Sequence, residues 1–364
     1  MLKLLTSGES HGPGLTAVLD GLPAGVKIEK KIIDAELARR QQGYGRGGRQ
    51  KIEKDEVKIL SGIRRGLSLG SPITLFVENK DYANWLDSMS AEVAAAPTPP
   101  VTKLRPGHAD YAGVVKYGFD DLRNVLERSS ARTTAAQVAA GSVCKQFLKN
   151  FPITITSQVL LVGGTKNRAA DGALAAAARK RIDEARARGD SLGGVVELTV
   201  RGAPTGLGTY AQADRRLDGR LAGALMSLQA VKGVEIGLGF AAANLPGSQV
   251  QDEIFYRQGQ VIRRTNNAGG IEGGISNGED IIVRLAFKPI PTLMRPLRTI
   301  DWKTKRPDKA LVERSDTCAI EAGAVIAENI AAFVLTDVFL EKFGGDSLAE
   351  IKSRWQKTSV RRRR

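Results

Sequence analysis

The 364-residue sequence holds two histidines, two cysteines and only 5% aromatic residues. Two cysteines, Cys144 and Cys318, are too few for a disulfide framework, so the chain reads as cytoplasmic. No cysteine–histidine grouping has metal-ligand spacing, and no metal is expected. No uninterrupted apolar run approaches the roughly 18 residues of a membrane span, so no membrane partner is expected. The opening Met1-Leu2-Lys3-Leu4-Leu5-Thr6 turns polar too soon for a signal peptide. The scarce aromatics do not interleave with the basic clusters, which leaves no stacking platform for single-stranded nucleic acid. No nucleic-acid motif appears either.

What is abundant is positive charge. Lysine and arginine number 54 against 39 acidic residues, a net charge of +15. Four of those charges form the terminal run Arg361–Arg364, and the rest of the chain still carries +11. A surplus of that size implies an anionic partner. Without a nucleic-acid signature, a small molecule with phosphate and carboxylate groups fits best. The apolar fraction of 42% is enough for a large core.

Both histidines sit in glycine-flanked polar turns. His11 lies in Gly8-Glu9-Ser10-His11-Gly12-Pro13-Gly14, and His108 in Arg105-Pro106-Gly107-His108-Ala109-Asp110. Histidine is the side chain whose ordinary pKa suits proton transfer near neutrality. A loop histidine that merely fills a hole is the plain alternative for either one taken singly. The pair, with serine and arginine alongside, points to acid–base chemistry.

Strand patterns fall at 2–5, 15–19, 57–62, 73–77, 153–162, 195–200, 234–238 and 281–287. Helix patterns fall at 31–42, 131–148, 168–189, 213–228 and 318–343, the last stopped by Gly344 and Gly345. Residues 82–107 are irregular and rich in proline, and a connection that long is more often functional than idle. Strands and helices alternate without a doubly wound rhythm. The expected architecture is therefore an α/β (α+β) sandwich, a β-α-β arrangement of antiparallel or mixed sheets around helices. It forms one large domain over 1–345, followed by a flexible basic tail over 346–364.

Two motif matches mislead. Gly8-Glu9-Ser10-His11-Gly12 fits the G-x-S-x-G nucleophile elbow, but that elbow follows several strands and needs an upstream loop for its oxyanion hole. A serine hydrolase is the weaker alternative. Gly43-Tyr44-Gly45-Arg46-Gly47-Gly48 fits a dinucleotide fingerprint, yet it follows a helix and not a strand. What remains is a glycine loop carrying Arg46 and Arg49 just after Arg39 and Arg40, with forks suited to phosphate or carboxylate. The start of the 131–148 helix, capped by Ser129 and Ser130 and flanked by Arg128 and Arg132, is a natural anion site. Asp316, before the last long helix, reads first as an ordinary N-cap.

Taken together, five motifs resemble the signatures of the chorismate synthase family. They are Gly8–Leu15, Arg39–Arg46, Arg105–Asp110, Glu127–Thr134 and Arg314-Ser315-Asp316, in the family's order and within residues 1 to about 345. Glu127 and Thr133 stand where members often carry glycine and glutamate, and Thr317 where proline, serine or valine is usual. The resemblance implies an enzyme of the shikimate pathway for aromatic amino acids. It would eliminate phosphate and a ring proton from 5-enolpyruvylshikimate 3-phosphate in a 1,4 sense to give chorismate, with reduced FMN and no net redox change. It also implies a homotetramer. Its catalytic residues would be His11, protonating the reduced flavin; His108, protonating the departing phosphate; and Asp316, assisting removal of the ring proton through the flavin N5. Substrate oxygens would fall to Ser10, Arg40, Arg46, Arg105, Arg132 and Arg314. Cofactor contacts would come from Arg128, Ser129, Ser130, Gln229, Ala230, Gly273, Lys288, Pro289, Ile290, Pro291, Thr292 and Arg314, with Arg40 and Arg46 serving NADP. NADPH is a candidate reductant, but no segment reads as an extra domain for flavin reduction, so a separate flavin reductase is expected as a partner.

Overall fold

The computed structural model describes residues 2–48, 54–92, 98–169, 173–313 and 315–361. Two antiparallel sheets enclose a layer of helices. The first sheet contains β1 (Lys3–Ser7), β2 (Gly14–Asp20), β3 (Val57–Ile59) and β4 (Ile73–Glu78), in the order β1-β2-β4-β3. The second contains β5 (Thr154–Val162), β6 (Thr165–Lys166), β7 (Gly194–Arg201), β8 (Val231–Ile236) and β9 (Ile281–Phe287), in the order β8-β9-β7-β5-β6. The expected sandwich is what forms, and its described sheets are antiparallel, with no parallel strand pair in either.

Alternation along the strands explains the layering. Leu15, Ala17 and Leu19 of β2 and Ile73, Leu75 and Val77 of β4 are buried on one face. Val196, Leu198 and Val200 of β7 and Ile281, Val283 and Leu285 of β9 do the same in the second sheet. Period-two burial is what a sheet with one covered face requires. The cover comes from α1 (Lys30–Gln41), α4 (Thr134–Leu148), α6 (Leu217–Met226) and α7 (Ile320–Phe343), with α4 against the first sheet and α7 against the second. Helix α7 is long and apolar enough to cross a membrane, but 94% of its apolar window is buried inside this fold. A helix apolar all round is a core helix when protein surrounds it. Helices α4 and α7 cross closely at Gly141, where an added Cβ would lie 2.4 Å from the carbonyl oxygen of Asn329.

Three local readings differ from the structure. The helix expected over 131–148 opens as a 3-10 turn over Ala131–Thr133 before α4, and an unexpected helix, α3 (Arg123–Ser129), precedes it. The helix expected over 168–189 is α5 (Ala176–Ala187), shorter because Asn167 diverts its side chain to the Ala173 carbonyl and the Ala175 N–H. Of the basic segment 346–364 expected to be a flexible tail, Leu348–Arg361 forms α8, and 362–364 lie outside the described residues. Ile351 is fully buried, and the Trp355 ring packs 5.3–5.7 Å from Phe151, Phe339 and Phe343. One face of this helix is apolar, and that outweighs its basic composition. A small separate core of Leu104, Val114, Leu122, Val125 and Leu126 joins α2 (Asp110–Tyr117) to α3 and braces the loop that carries His108.

Candidate active site

The first histidine turn connects β1 to β2. Gly8 adopts φ +100°, and a Cβ there would sit 2.2 Å from the Gly14 carbonyl oxygen, so the tight return needs glycine. This is a hairpin turn and not the strand–turn–helix of a nucleophile elbow, which removes the geometric basis of the hydrolase alternative. Ser10 is buried: its N–H donates to the Glu127 carbonyl at 3.0 Å and its Oγ accepts from Ser130 Oγ at 3.1 Å. The His11 N–H donates to Glu127 Oε2 at 2.8 Å, and ring Nδ1 lies 3.0 Å from both Glu127 oxygens. The imidazole stacks on Trp85 with centroids 4.1 Å apart.

The α3–α4 junction supplies the neighbouring cations. Arg132 is 7% exposed; its Nε donates to Asn79 Oδ1 at 2.8 Å and its Nη1 pairs with Asp55 Oδ1 at 2.5 Å. Arg40, from the end of α1, is 6% exposed and meets the other Asp55 oxygen at 3.2 Å, with Nε donating to Thr134 Oγ1 at 2.9 Å. Burial pulls the Arg40 guanidinium down to about 9, against the opposing pull of Asp55, so it stays charged at neutral pH. Asn79 closes the group by donating to the Glu9 and Gly12 carbonyls of the histidine turn. Arg128 is turned to the Gly8 and Thr6 carbonyls, and Ser129 Oγ donates to the Val125 carbonyl of its own helix.

The glycine loop after α1 reaches a third element. Arg46 Nη1 lies 2.8 Å from Asp316 Oδ2, and the Gly47 N–H donates to Asp316 Oδ1 at 2.5 Å. Asp316 is therefore no N-cap; α7 begins four residues later, with Ala319 in the cap position and no side-chain cap. The loop is anchored by backbone too, with the Gly45 carbonyl accepting from Thr317 N at 2.8 Å. The Arg46 and Asp316 charges are felt at Arg40, which draws these residues into one electrostatic group with Arg132. Arg49 and Arg314 lie outside the described residues.

His108 belongs to a second cluster. Asp110 is fully buried and accepts from Arg105 Nε at 3.0 Å and Nη2 at 3.1 Å, and it contacts His108 Nδ1 closely. Burial alone would raise the Asp110 carboxyl; hydrogen bonds from His108 and Arg105 outweigh it and bring the pKa down to about 2. Arg105 Nη1 also reaches Glu313 at 3.1 Å and Thr292 Oγ1 at 3.4 Å. Lys288 Nζ donates to the Gly107 carbonyl. A cavity of about 210 Å3 opens here, lined by Gly107, Lys288, Pro289, Ile290 and Pro291 among others.

Gln229 faces the α3–α4 junction, with Nε2 donating to Thr133 Oγ1 at 3.3 Å. The next residue, Ala230, holds φ +72° and accepts from Lys288 N at 2.8 Å. The sequence-derived set thus falls into two connected groups: His11, Ser10, Ser130, Arg132, Arg40, Arg46 and Asp316, then Arg105, His108, Lys288, Pro291 and Thr292. Gly273 stands apart in the turn between Ile271–Glu272 and Ile275–Ser276, and no hydrogen bond among the described residues ties it to either group. No cluster of three or more potential metal ligands occurs among the described residues.

Sequence reasoning missed the carboxylates behind the site. Glu127, Asp55 and Asp110 each hold a histidine or arginine of the set. Two of them lay inside quoted motifs, so proximity to His108 and to Arg128 was an available signal. Asp55 and the stacking ring of Trp85 carried no local signal.

The family model described as chorismate synthase matches residues 2–340. A chorismate synthase of Geobacter metallireducens is 53% identical over 380 residues, covering 97% of each chain. One from Thermoanaerobacter pseudethanolicus is 53% identical over 355 residues, again covering 97% of each. A solved structure described as a crystal structure of chorismate synthase superposes with a TM-score of 0.78 at 40% identity, covering 100% of this chain and 98% of the other.

Proposed function

The chain belongs to the chorismate synthase family, as an enzyme of the lyase class in aromatic amino acid biosynthesis, and from that premise we propose its reaction and the work of its residues. The substrate is 5-enolpyruvylshikimate 3-phosphate, a shikimate-pathway intermediate. One C–H and one C–O bond break in a 1,4 sense, a second ring double bond forms, and the products are chorismate and inorganic phosphate with no net redox change.

One observation carries the reading. Three guanidinium groups, on Arg40, Arg105 and Arg132, are at most 7% exposed and stand in the two clusters that hold the histidines and Asp316. Burying so much positive charge is costly without an anionic ligand or counter-ions. Asp55 and Asp110 offset part of it and fix the forks. Arg105 and His108 suit the departing phosphate: the guanidinium binds its oxygens and the imidazole delivers the proton. Arg46, Arg132, Arg40 and Ser10 serve the substrate's carboxylates, Arg40 and Arg132 mainly as a preorganised positive field. Asp316, oriented by the Gly47 N–H and Arg46, assists removal of the ring proton. Arg314 is proposed from its motif alone.

Reduced FMN fits beside the Gln229-Ala230 segment on one structural ground: Gln229 Oε1 is buried with no hydrogen-bond partner among the described residues, an acceptor suited to a ring N–H. Lys288, Pro289, Ile290, Pro291, Thr292 and Ala230 would hold it, with Arg128, Ser129, Ser130 and Gly273 completing the proposed set. When bound, the reduced flavin supplies an electron-rich ring that stabilises charge developing as phosphate leaves. His11 holds a proton on its imidazole for this step. The working form is proposed to be a cytoplasmic homotetramer fed by a separate flavin reductase, with NADPH the alternative direct reductant. Purified protein given anaerobically reduced FMN should release phosphate from 5-enolpyruvylshikimate 3-phosphate; no release beside an active control enzyme overturns the proposal.

A further inference from the structure

His11 sits in a closed ring of four side chains, and three of them have no part in the reaction as proposed. Glu127 lies behind the imidazole, 3% exposed, with both oxygens 3.0 Å from Nδ1 and Oε2 also accepting the His11 backbone N–H at 2.8 Å. Trp85 covers one ring face at 4.1 Å with an interplanar angle of 29°. Arg123 joins the other two, its Nη1 3.4 Å from Glu127 Oε1 and its guanidinium 5.0 Å over the Trp85 ring. Asp81 steadies Trp85 by accepting from its Nε1 at 3.2 Å. The four come from three separate pieces of chain: the β1–β2 turn, the segment after β4, and α3.

The chemistry of the contact is directional. Burial pushes the Glu127 carboxyl up, but hydrogen bonds from the His11 ring and backbone N–H, with the Arg123 charge, hold it below the usual range, so it is ionised at neutral pH. An ionised carboxylate only accepts. The ring nitrogen facing its two oxygens must therefore carry a proton, and a neutral imidazole has one proton to place. The pairing selects the Nδ1–H form, whereas a free neutral imidazole prefers the proton on Nε2.

We propose that Glu127 is the positioning residue of His11: it fixes the Nδ1–H tautomer and the ring orientation, and so makes Nε2 the nitrogen through which His11 exchanges protons. The inference rests on the catalytic role given to His11 above. Orientation of a histidine by a carboxylate at its far nitrogen is a general device, and losing such a partner costs roughly 10- to 100-fold.

The chain's two histidines make the test simple. With 15N-labelled histidine rings, full-length ligand-free protein above neutral pH gives two sets of ring signals, assigned by their loss in His11→Asn and His108→Asn. The 15N shifts separate a protonated ring nitrogen from a bare one. His11 should read as Nδ1–H in the native protein. In Glu127→Gln that preference should collapse toward Nε2–H, with kcat falling about 10- to 100-fold and KM for substrate moving less than about 3-fold. A His11 ring that is Nε2–H in the native protein overturns the proposal without any variant, which covers the case of a Glu127→Gln protein that does not fold. Unchanged tautomer or unchanged kcat in a folded Glu127→Gln overturns it as well. Because the tautomer is read without substrate or flavin, its failure is distinct from a failure of the proposed reaction, which would show as no phosphate release by the native protein.

Discussion

Arg46 and Asp316 meet across 270 positions of sequence, Nη1 to Oδ2 at 2.8 Å, and the Gly47 N–H donates to the same carboxylate. The contact joins the glycine loop to the segment before α7. It makes Asp316 an oriented carboxylate beside a cation and relieves it of any capping duty. Positioned in this way, Asp316 can take a proton from a ligand that the arginines hold.

Asp316→Ala should lower kcat by about 100- to 10,000-fold while KM changes little, the pattern for a group acting mainly in the transition state. His108→Ala should behave alike. Steady-state kinetics with reduced flavin checks both, and near-native kcat in either variant removes that residue from the proton-transfer scheme.

Asp110 gives a pH signature. Its folded pKa of about 2 lies below the ordinary 3.8. The ionised form therefore stabilises the fold above about pH 4, and this contribution disappears as pH falls through about 2. Asp110→Asn should be destabilised at pH 7 by about 1–3 kcal/mol, because buried Arg105 then keeps only the half-exposed Glu313 as a counter-charge. Denaturant melts at a series of pH values should show the native and variant stabilities converging toward pH 2.

At Gly141 two effects oppose each other. Alanine would improve helix propensity by about 1 kcal/mol. Its Cβ would also lie 2.4 Å from the Asn329 carbonyl oxygen and 2.5 Å from Asn329 Cβ. Overpacking of that kind costs about 1–3 kcal/mol or more, so Gly141→Ala should be net destabilised in thermal melts. A raised Tm would contradict the close α4–α7 crossing.

Deleting 347–364 should expose the Phe151–Phe339–Phe343 cluster that Trp355 and Ile351 cover. Loss of Ile351 burial alone is worth about 1.5–3 kcal/mol. A truncated protein with native Tm would show that α8 contributes nothing to the core.

The layers of the fold were legible because they rest on local patterning. Alternation in β2, β4, β7 and β9 and the apolar length of α7 are properties of short windows. The site was legible where a residue type and its neighbours name a chemistry, as around His11 and His108. Partnerships were not legible. Glu127 binds His11 across 116 positions, and Asp55 holds Arg40 and Arg132 from a strand-flanking segment with no pattern of its own. The N-cap reading of Asp316 failed for the same reason, since its true partners lie on the far glycine loop. Residues 346–361 misled through composition: basic residues outnumber acidic ones there, while Ile351 and Trp355 decide the packing.

The central claim is an elimination without net redox change, carried out by the two histidine clusters on an anionic substrate. Its most direct test is an anaerobic reaction of this protein with 5-enolpyruvylshikimate 3-phosphate and reduced FMN, following chorismate, phosphate and flavin oxidation state together. The account requires chorismate and phosphate in equal amounts, flavin still reduced at the end, and no product when FMN is supplied oxidised without a reductant. Phosphate released without chorismate, or flavin consumed in step with product, would contradict it.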